Sequence, residues 1–249
     1  MNFSLKRIRI NNLTISENLA LILNIETSTN ICSVALSKNG ELISFMESSE
    51  DKSHASSITV FVEEVFKNVS FKLQEIDAVA VSKGPGSYTG LRIGVSTAKG
   101  IAYALDKKLI SVSTLQALAL GQSASFGKNE NTLFCPMIDA RRMEVYTAFY
   151  DKENVLKKEI SAEIIKEESF LEYFENNKLI FFGNGANKCK TILKHENAVF
   201  VDNISTSATK MIKIAEQKFQ DGKFENLAYF EPFYLKDFIA TIPRKNIFK

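Results

Sequence analysis

Leu21-Ile22-Leu23-Asn24-Ile25-Glu26-Thr27-Ser28-Thr29-Asn30-Ile31-Cys32-Ser33-Val34-Ala35-Leu36 is the stretch whose reading decides the fold. Leu21 to Ile25 is aliphatic and β-branched, Glu26 to Asn30 is a cluster of turn formers, and Ile31 to Leu36 is strand-like again. Asn39-Gly40, a strong two-residue hairpin signal, follows, and Glu41 to Met46 returns as a third strand. The chain therefore opens with an antiparallel meander. From Ser53 to Asn68 the period changes, because Ile58, Phe61, Val62, Val65 and Phe66 form one stripe of an amphipathic helix.

Outward from this meander, Ile76 to Val81 is nearly all apolar, as a strand covered on both faces is. It runs into Gly84-Pro85-Gly86-Ser87-Tyr88-Thr89-Gly90 and a helix from Leu91 to Leu105. Lys108 to Val112 is a short strand, and Ser113 or Thr114 caps a helix beginning near Leu115. The order is β-β-β-α-β-α-β-α, closing at the polar span Gln122 to Asn131. The second half starts the same programme again. Strands are expected at Leu133–Asp139, Glu144–Tyr150, Val155–Ile160, Leu179–Phe182 and Ala198–Val201, with helices at Glu167–Phe174 and Thr206–Phe219. Two such halves make an α/β protein with mixed sheets and an internal duplication of element order.

Composition narrows the function. The 249 residues are 45% apolar and 24% charged, which fits a globular protein rather than a disordered or fibrous one. A formal charge of +2 gives no uniform field for avid, nonspecific nucleic-acid binding. Three cysteines, Cys32, Cys135 and Cys189, cannot complete a disulfide framework, which points to a reducing compartment. No run approaches the roughly 18 apolar residues of a membrane span, and residues 1–20 lack a secretory hydrophobic region. The expected location is the cytoplasm. Only two histidines occur, His54 and His195, far apart, so paired-histidine metal motifs are absent. His54 reads as a capping or surface residue and His195 as part of a solvated turn.

Two features carry possible chemistry. The Gly84–Gly90 turn between a buried strand and a helix start either cradles an anion or makes a tight turn with close helix packing. Its G-x-G-x-x-x-G spacing is one residue too long for the dinucleotide fingerprint, and Pro85 removes a donor, so the spacing favours the turn. Gly121 to Lys128 is not a P-loop: five residues, not four, separate the glycines, and Asn129 replaces the metal-binding hydroxyl. The second helix is apolar or small around most of its circumference, leaving Arg92, Ser96, Lys99 and Tyr103 as a narrow polar stripe. Gly90, Gly94, Ala98 and Ala102 recur every fourth residue and admit a close neighbour. Burial inside the chain and a helix–helix interface with a partner fit this pattern equally well.

Ile22–Thr29, Cys32–Leu36 and above all Lys83-Gly84-Pro85-Gly86-Ser87-Tyr88-Thr89-Gly90-Leu91-Arg92-Ile93-Gly94 resemble the bacterial TsaB (YeaZ) family. Ile110–Leu115, Ile138–Arg141, Glu144–Tyr146 and Pro232–Leu235 extend the likeness, which is densest from Leu21 to Leu120. The resemblance implies a two-lobed ASKHA (actin-like, RNase H-like) fold, with an N-terminal extension at 1–20, a first lobe at 21–121 and a second at 132–249. It also implies a noncatalytic scaffold or activator that pairs with a TsaD-like paralogue and is joined by a TsaE-like ATPase. Together they form threonylcarbamoyladenosine beside the anticodon of certain tRNAs. Pairing runs through helices of the first lobe, which offers Gly90, Ile93, Gly94, Val95, Thr97, Ala98, Ile101 and Ala102, and the isolated chain forms homodimers through a similar surface. Val95→Glu or Ala98→Arg is then expected to abolish pairing. No catalytic, metal or cofactor residue is assigned; ATP and metal belong to the partners, tRNA is met through the complex, and no membrane is involved.

Glu26, Thr27, Ser28, Gly84 and Gly86 stand as vestiges of the phosphate site of such folds. Glu26 replaces the usual Asp of the family and adds a methylene, which weakens an inherited metal role. The rival reading is a sugar-kinase-like ATPase or phosphotransferase using Glu26, Ser28 and the Gly84–Gly86 turn. A metallopeptidase is the weakest reading, for want of histidines.

Overall fold

The computed structural model describes residues 20–49, 54–123 and 131–236. The expected extension at 1–20, apart from Ala20, and most of Gln122–Asn131 lie outside them.

The opening meander is present as β1 (Leu21–Glu26), β2 (Cys32–Lys38) and β3 (Glu41–Ser48). Asn39 and Gly40, at φ 56° and 74°, supply the left-handed pair that a tight hairpin between twisted strands needs. Then come α1 (His54–Lys67), β4 (Ala78–Gly84), α2 (Tyr88–Ala104), β5 (Lys108–Ser113) and α3 (Thr114–Ser123). The second half contributes β6 (Thr132–Asp139), β7 (Glu144–Tyr150), β8 (Leu156–Ile164), α4 (Leu171–Phe174), β9 (Lys178–Phe182), β10 (Ala198–Val201) and α5 (Ile212–Gln220).

The first sheet has the order β3-β2-β1-β4-β5, and the second, read from its meander edge, β8-β7-β6-β9-β10. In both, three antiparallel strands are followed by two parallel ones: β1 pairs β2 antiparallel and β4 parallel, and β6 pairs β7 antiparallel and β9 parallel. The duplication of element order is thus one of topology, and the two lobes have the ASKHA architecture that the family resemblance implies.

Side-chain alternation assigns the faces. Leu21, Leu23, Ile25, Val79 and Val81 point toward α1 and α2, joining Ile58, Val62, Val65, Val95 and Ala98 in one core. Ile22, Ala78, Ala80, Ile110 and Val112 point the other way, onto Ala117 of α3 and onto Met211, Ile214 and Ala215 at α5. Helix α3 also packs Leu115, Leu118 and Ala119 against Phe134, Ile138, Tyr150, Ile180 and Phe182 of the second sheet. It lies between the sheets, which explains why it buries residues around nearly its whole circumference. After α5 the chain returns over α2: Glu225 N–H donates to Leu109 O at 2.8 Å, Lys99 Nζ donates to Ala228 O and Phe230 O, and Phe233 N–H donates to Lys83 O at 2.7 Å.

Strand β8 ends at Ile164 rather than Ile160, β4 runs from Ala78 to Gly84 rather than from Ile76 to Val81, and three helices differ from the sequence reading. Helix α2 starts at Tyr88 rather than Leu91, because Ser87 caps it by accepting the Gly90 N–H at 3.2 Å. The helix expected over Glu167–Phe174 is only the single turn of α4, preceded by Phe170 in the left-handed region at φ 69°. The first turn of the helix expected at Thr206 is a 3-10 turn, Ala208–Met211, whose Ala208 N–H donates to Ser33 Oγ. No helix among the described residues is long and apolar enough to cross a membrane.

Candidate functional site

The residues singled out as a phosphate cradle meet where β1 runs into β2. Three small polar residues after a buried strand leave a loop with many donors and acceptors, and here the chain satisfies most of them itself. Ser28 N–H donates to Glu26 Oε1 at 2.6 Å, Thr27 N–H to Ser82 Oγ at 3.4 Å, and Ser87 N–H to Ser28 O at 2.7 Å. Thr27 Oγ1 donates to Gly90 O at 2.8 Å, tying the loop to the first turn of α2. Thr29 Oγ1 and Thr206 Oγ1 stand 2.7 Å apart, which joins the loop to the segment leading into α5.

The glycines are there for close approach. A Cβ on Gly86 falls 2.2 Å from Ser28 O, one on Gly90 2.1 Å from Thr27 O, and one on Gly94 2.1 Å from Thr27 Oγ1. Gly84 adopts φ 105°, and its bond to Pro85 is cis. Of the turn's backbone N–H groups, that of Ser87 is spent on Ser28 O and that of Gly90 on Ser87 Oγ. Glu26 is 1% exposed, and burial raises its pKa against the opposing pull of hydrogen bonds from Ser28, Ser82 and Thr27. A carboxylate held this way is not presented to a ligand. Glu26, Thr27, Ser28 and Gly86 are brought together, but against one another, while Gly84 closes on Leu91 and Phe233 O.

Both histidines have structural partners. His54 Nε2 donates to Thr29 O at 2.7 Å. His195 stacks on Phe174 at 4.3 Å, and its Nδ1 accepts the Asn197 N–H. Among the described residues no three His, Cys, Asp or Glu side chains gather as metal ligands would. The three cysteines are free and buried; burial pushes Cys32 and Cys189 up to about 11 and Cys135 well above the usual thiol value.

The partner-facing residues expected on α2 divide. Gly90, Gly94, Val95, Ala98 and Ala102 are buried by the chain's own α1, sheet and β1–β2 loop. The row of small residues at every fourth position therefore serves intramolecular packing, and a charge at Val95 or Ala98 would enter this core rather than an interface. Ile93, Thr97 and Ile101 are half-buried, and Ser96, Gly100, Tyr103 and Ala104 are exposed. Of these, Gly100 stands alone: a Cβ added there meets no atom within 4 Å. Sequence spacing did not separate the two faces, because small residues occupy both.

Beyond these, the β6–β7 turn carries Arg141 and Arg142, both exposed and both at positive φ, 69° and 45°. Lys188 Nζ locks the turn by donating to Asp139 Oδ1 at 2.5 Å, Arg142 O at 2.8 Å and Glu144 O at 2.7 Å.

Comparison with known proteins bears on this arrangement. Residues 46–244 match the family of TsaD, tRNA N6-adenosine threonylcarbamoyltransferase. The chain is 32% identical over 225 residues to the tRNA threonylcarbamoyladenosine biosynthesis protein TsaB of Escherichia coli (strain K12), spanning 88% of this chain and 96% of that one. It is 29% identical over 230 residues to TsaB of Haemophilus influenzae (strain ATCC 51907 / DSM 11121 / KW20 / Rd), spanning 89% and 95%. A crystal structure of an uncharacterized protein with similarity to peptidase YEAZ from Pseudomonas aeruginosa superposes with a TM-score of 0.76 at 23% identity, covering 88% of this chain and all of that one. At that identity the superposition speaks for the fold.

Proposed function

The chain belongs to the TsaB (YeaZ) family of tRNA threonylcarbamoyladenosine biosynthesis proteins, which are related to the TsaD transferase, and from that membership we propose that it is a noncatalytic pairing subunit. In this reading a TsaD-like paralogue transfers the threonylcarbamoyl group to the adenosine beside the anticodon. A TsaE-like ATPase joins the pair in the cytoplasm, ATP and metal sit on the partners, and this chain supports the active conformation of the transferase. In the absence of the paralogue, two copies of this chain pair through the same surface.

The observation that carries this reading is the filled turn: Glu26, Ser28, Gly86 and Gly90 close on one another where the fold would hold phosphate. The outer side of α2 supports the pairing role. Ser96, Gly100 and Ala104 fall four apart along its exposed side, with Ile93, Thr97 and Ile101 half-buried beside them. An exposed mid-helix glycine costs roughly 0.5–1 kcal/mol relative to alanine, and among the described residues nothing lies within 4 Å of the Cβ it lacks. A partner helix does need it, since small residues let two helix axes come close.

Gly100→Arg places a charged side chain on that surface while adding helix propensity. The variant is expected to fold as the parent does, to lose the TsaD-like partner in a pull-down, and to fail in reconstituted tRNA modification. Val95→Glu instead puts an unpaired charge into the first core, and its loss of pairing is expected to accompany loss of the folded lobe. Pairing by a folded Gly100→Arg variant at parental affinity would overturn the surface. Modification proceeding equally well without this chain, or tight ATP binding by the isolated chain, would overturn the function.

A further inference from the structure

We propose that the β6–β7 turn and the Tyr88–Tyr234 ring pair, joined to it through Lys236, form a binding surface for single-stranded RNA, contributed by this chain to the tRNA complex. The turn is the first observation. The β2–β3 hairpin meets its left-handed backbone with Asn39-Gly40, residues that tolerate it, whereas the β6–β7 turn places two long cations, Arg141 and Arg142, in the same region. Both arginine side chains are exposed, and the turn that holds them is braced from below by Lys188. A strained, braced turn presenting two guanidiniums is preorganised for an anionic ligand.

The second observation is what lies next to it. Lys236 pairs with Glu144 at the base of the turn, and Lys236, Glu144 and Arg141 all act on the Tyr146 hydroxyl. Two residues before Lys236, Tyr234 packs against Tyr88 with ring centroids 4.6 Å apart and the rings tilted by 32°, and Arg92 lies over Tyr88 at 5.5 Å. Tyr234 keeps 36% of its surface exposed. Of the acids here, Asp139 is paired with Lys188 and Glu144 with Lys236, and Glu231 stands near Tyr234 together with Arg92, so Arg141 and Arg142 leave the surface with a positive excess. Alternating guanidinium groups and accessible aromatic rings are what unstacked bases and phosphates bind. An acidic peptide would use the cations but has no need of the rings.

The choice of RNA rests on the tRNA role proposed above, and the tests keep the two apart. The variant Arg141→Asn/Arg142→Gly removes both guanidiniums and relieves the turn, so it is expected to melt at or above the parent. Fluorescence anisotropy with a labelled anticodon stem-loop RNA, on the chain alone and on its complex with the TsaD-like partner, reads the binding. The double variant is expected to bind about tenfold or more weakly, with a log K against log salt slope shallower by roughly 1.4, two single-strand phosphate contacts. Tyr234→Leu is expected to weaken binding about fivefold or more with the slope unchanged. Parental affinity and slope in the double variant, or no RNA binding by the parent at low salt, overturns the surface. Loss of a protein partner by the double variant with RNA binding intact overturns it in favour of an acidic partner. RNA binding that depends on Arg141 and Arg142 in a chain that does not pair with a TsaD-like protein upholds the surface and refutes the pairing role.

Discussion

Two glycines six residues apart in α2 are expected to answer the same substitution with opposite signs. Gly94→Ala drives a methyl to within 2.1 Å of Thr27 Oγ1, with Thr27 Cβ at 3.3 Å and Cγ2 at 3.4 Å. Helix and loop must separate, which costs about 1–3 kcal/mol as overpacking and strains the buried Thr27–Gly90 hydrogen bond, worth about 1 kcal/mol. The gain in helix propensity returns about 1 kcal/mol, so the net loss is about 1–3 kcal/mol. At about 2–4 °C per kcal/mol for a chain of this size, the melting temperature falls by roughly 2–12 °C. Gly100→Ala meets nothing and is expected to gain roughly 0.5–1 kcal/mol, or about 1–4 °C. Thermal and urea unfolding of the isolated chain reads both, and a Thr27→Ala background isolates the cause. With the hydroxyl gone, the nearest remaining atom is Cβ at 3.3 Å, and most of the Gly94→Ala cost disappears. A Gly94→Ala variant as stable as the parent, or one whose cost ignores Thr27, would show that α2 does not seat on this loop.

Two further predictions concern buried titratable groups. Glu26 has its folded pKa raised by burial, so the folded state binds its proton more tightly than the unfolded state does. Its contribution to stability is greatest below the unfolded pKa and is lost as pH rises toward the folded one. Glu26→Gln keeps an acceptor for the Ser28 N–H, and its urea stability is expected to be flatter than the parent's from pH 4 upward, and equal or higher at pH 8; a large destabilisation at pH 8 would contradict this. Cys32, Cys135 and Cys189 are buried with raised pKa values, so a disulfide reagent at neutral pH is expected to titrate them slowly in the native chain and all three at once in denaturant. Rapid native reaction at any of them would show that its cover opens.

Much of the architecture was legible because it is written in short-range patterns. Asn39-Gly40 marked the β2–β3 hairpin, and the strands expected at Glu144–Tyr150 and Ala198–Val201 are β7 and β10. What escaped depends on contacts distant in sequence. Helix α2 is small or apolar nearly all round, so its periodicity does not tell the side seated on Thr27 from the side left open at Gly100. The start of α2 was hidden by the glycine-rich turn, where Ser87 acts as a cap. The short α4 follows from Phe170 leaving the helical region, a choice made by its packing against Phe149 and Phe181. For the cradle, residue types suggested phosphate chemistry, and only the distances revealed that the loop and the glycine turn occupy each other's space.

The return of α5 to the first sheet also orders events during synthesis. Ile22, Ala80 and Ile110 belong to the earliest part of the chain, yet their covering residues Met211, Ile214 and Ala215 are among the last described. On the ribosome the α1–α2 side of that sheet can close as soon as β5 has emerged, while its opposite side stays wet until α5 appears. Every strand of the second sheet has been made, by Val201, before α5 covers the first. A nascent chain of this protein thus carries a half-covered lobe from the end of β5 at Ser113 until α5 begins at Ile212, and the stretch that follows Thr206 is what closes it.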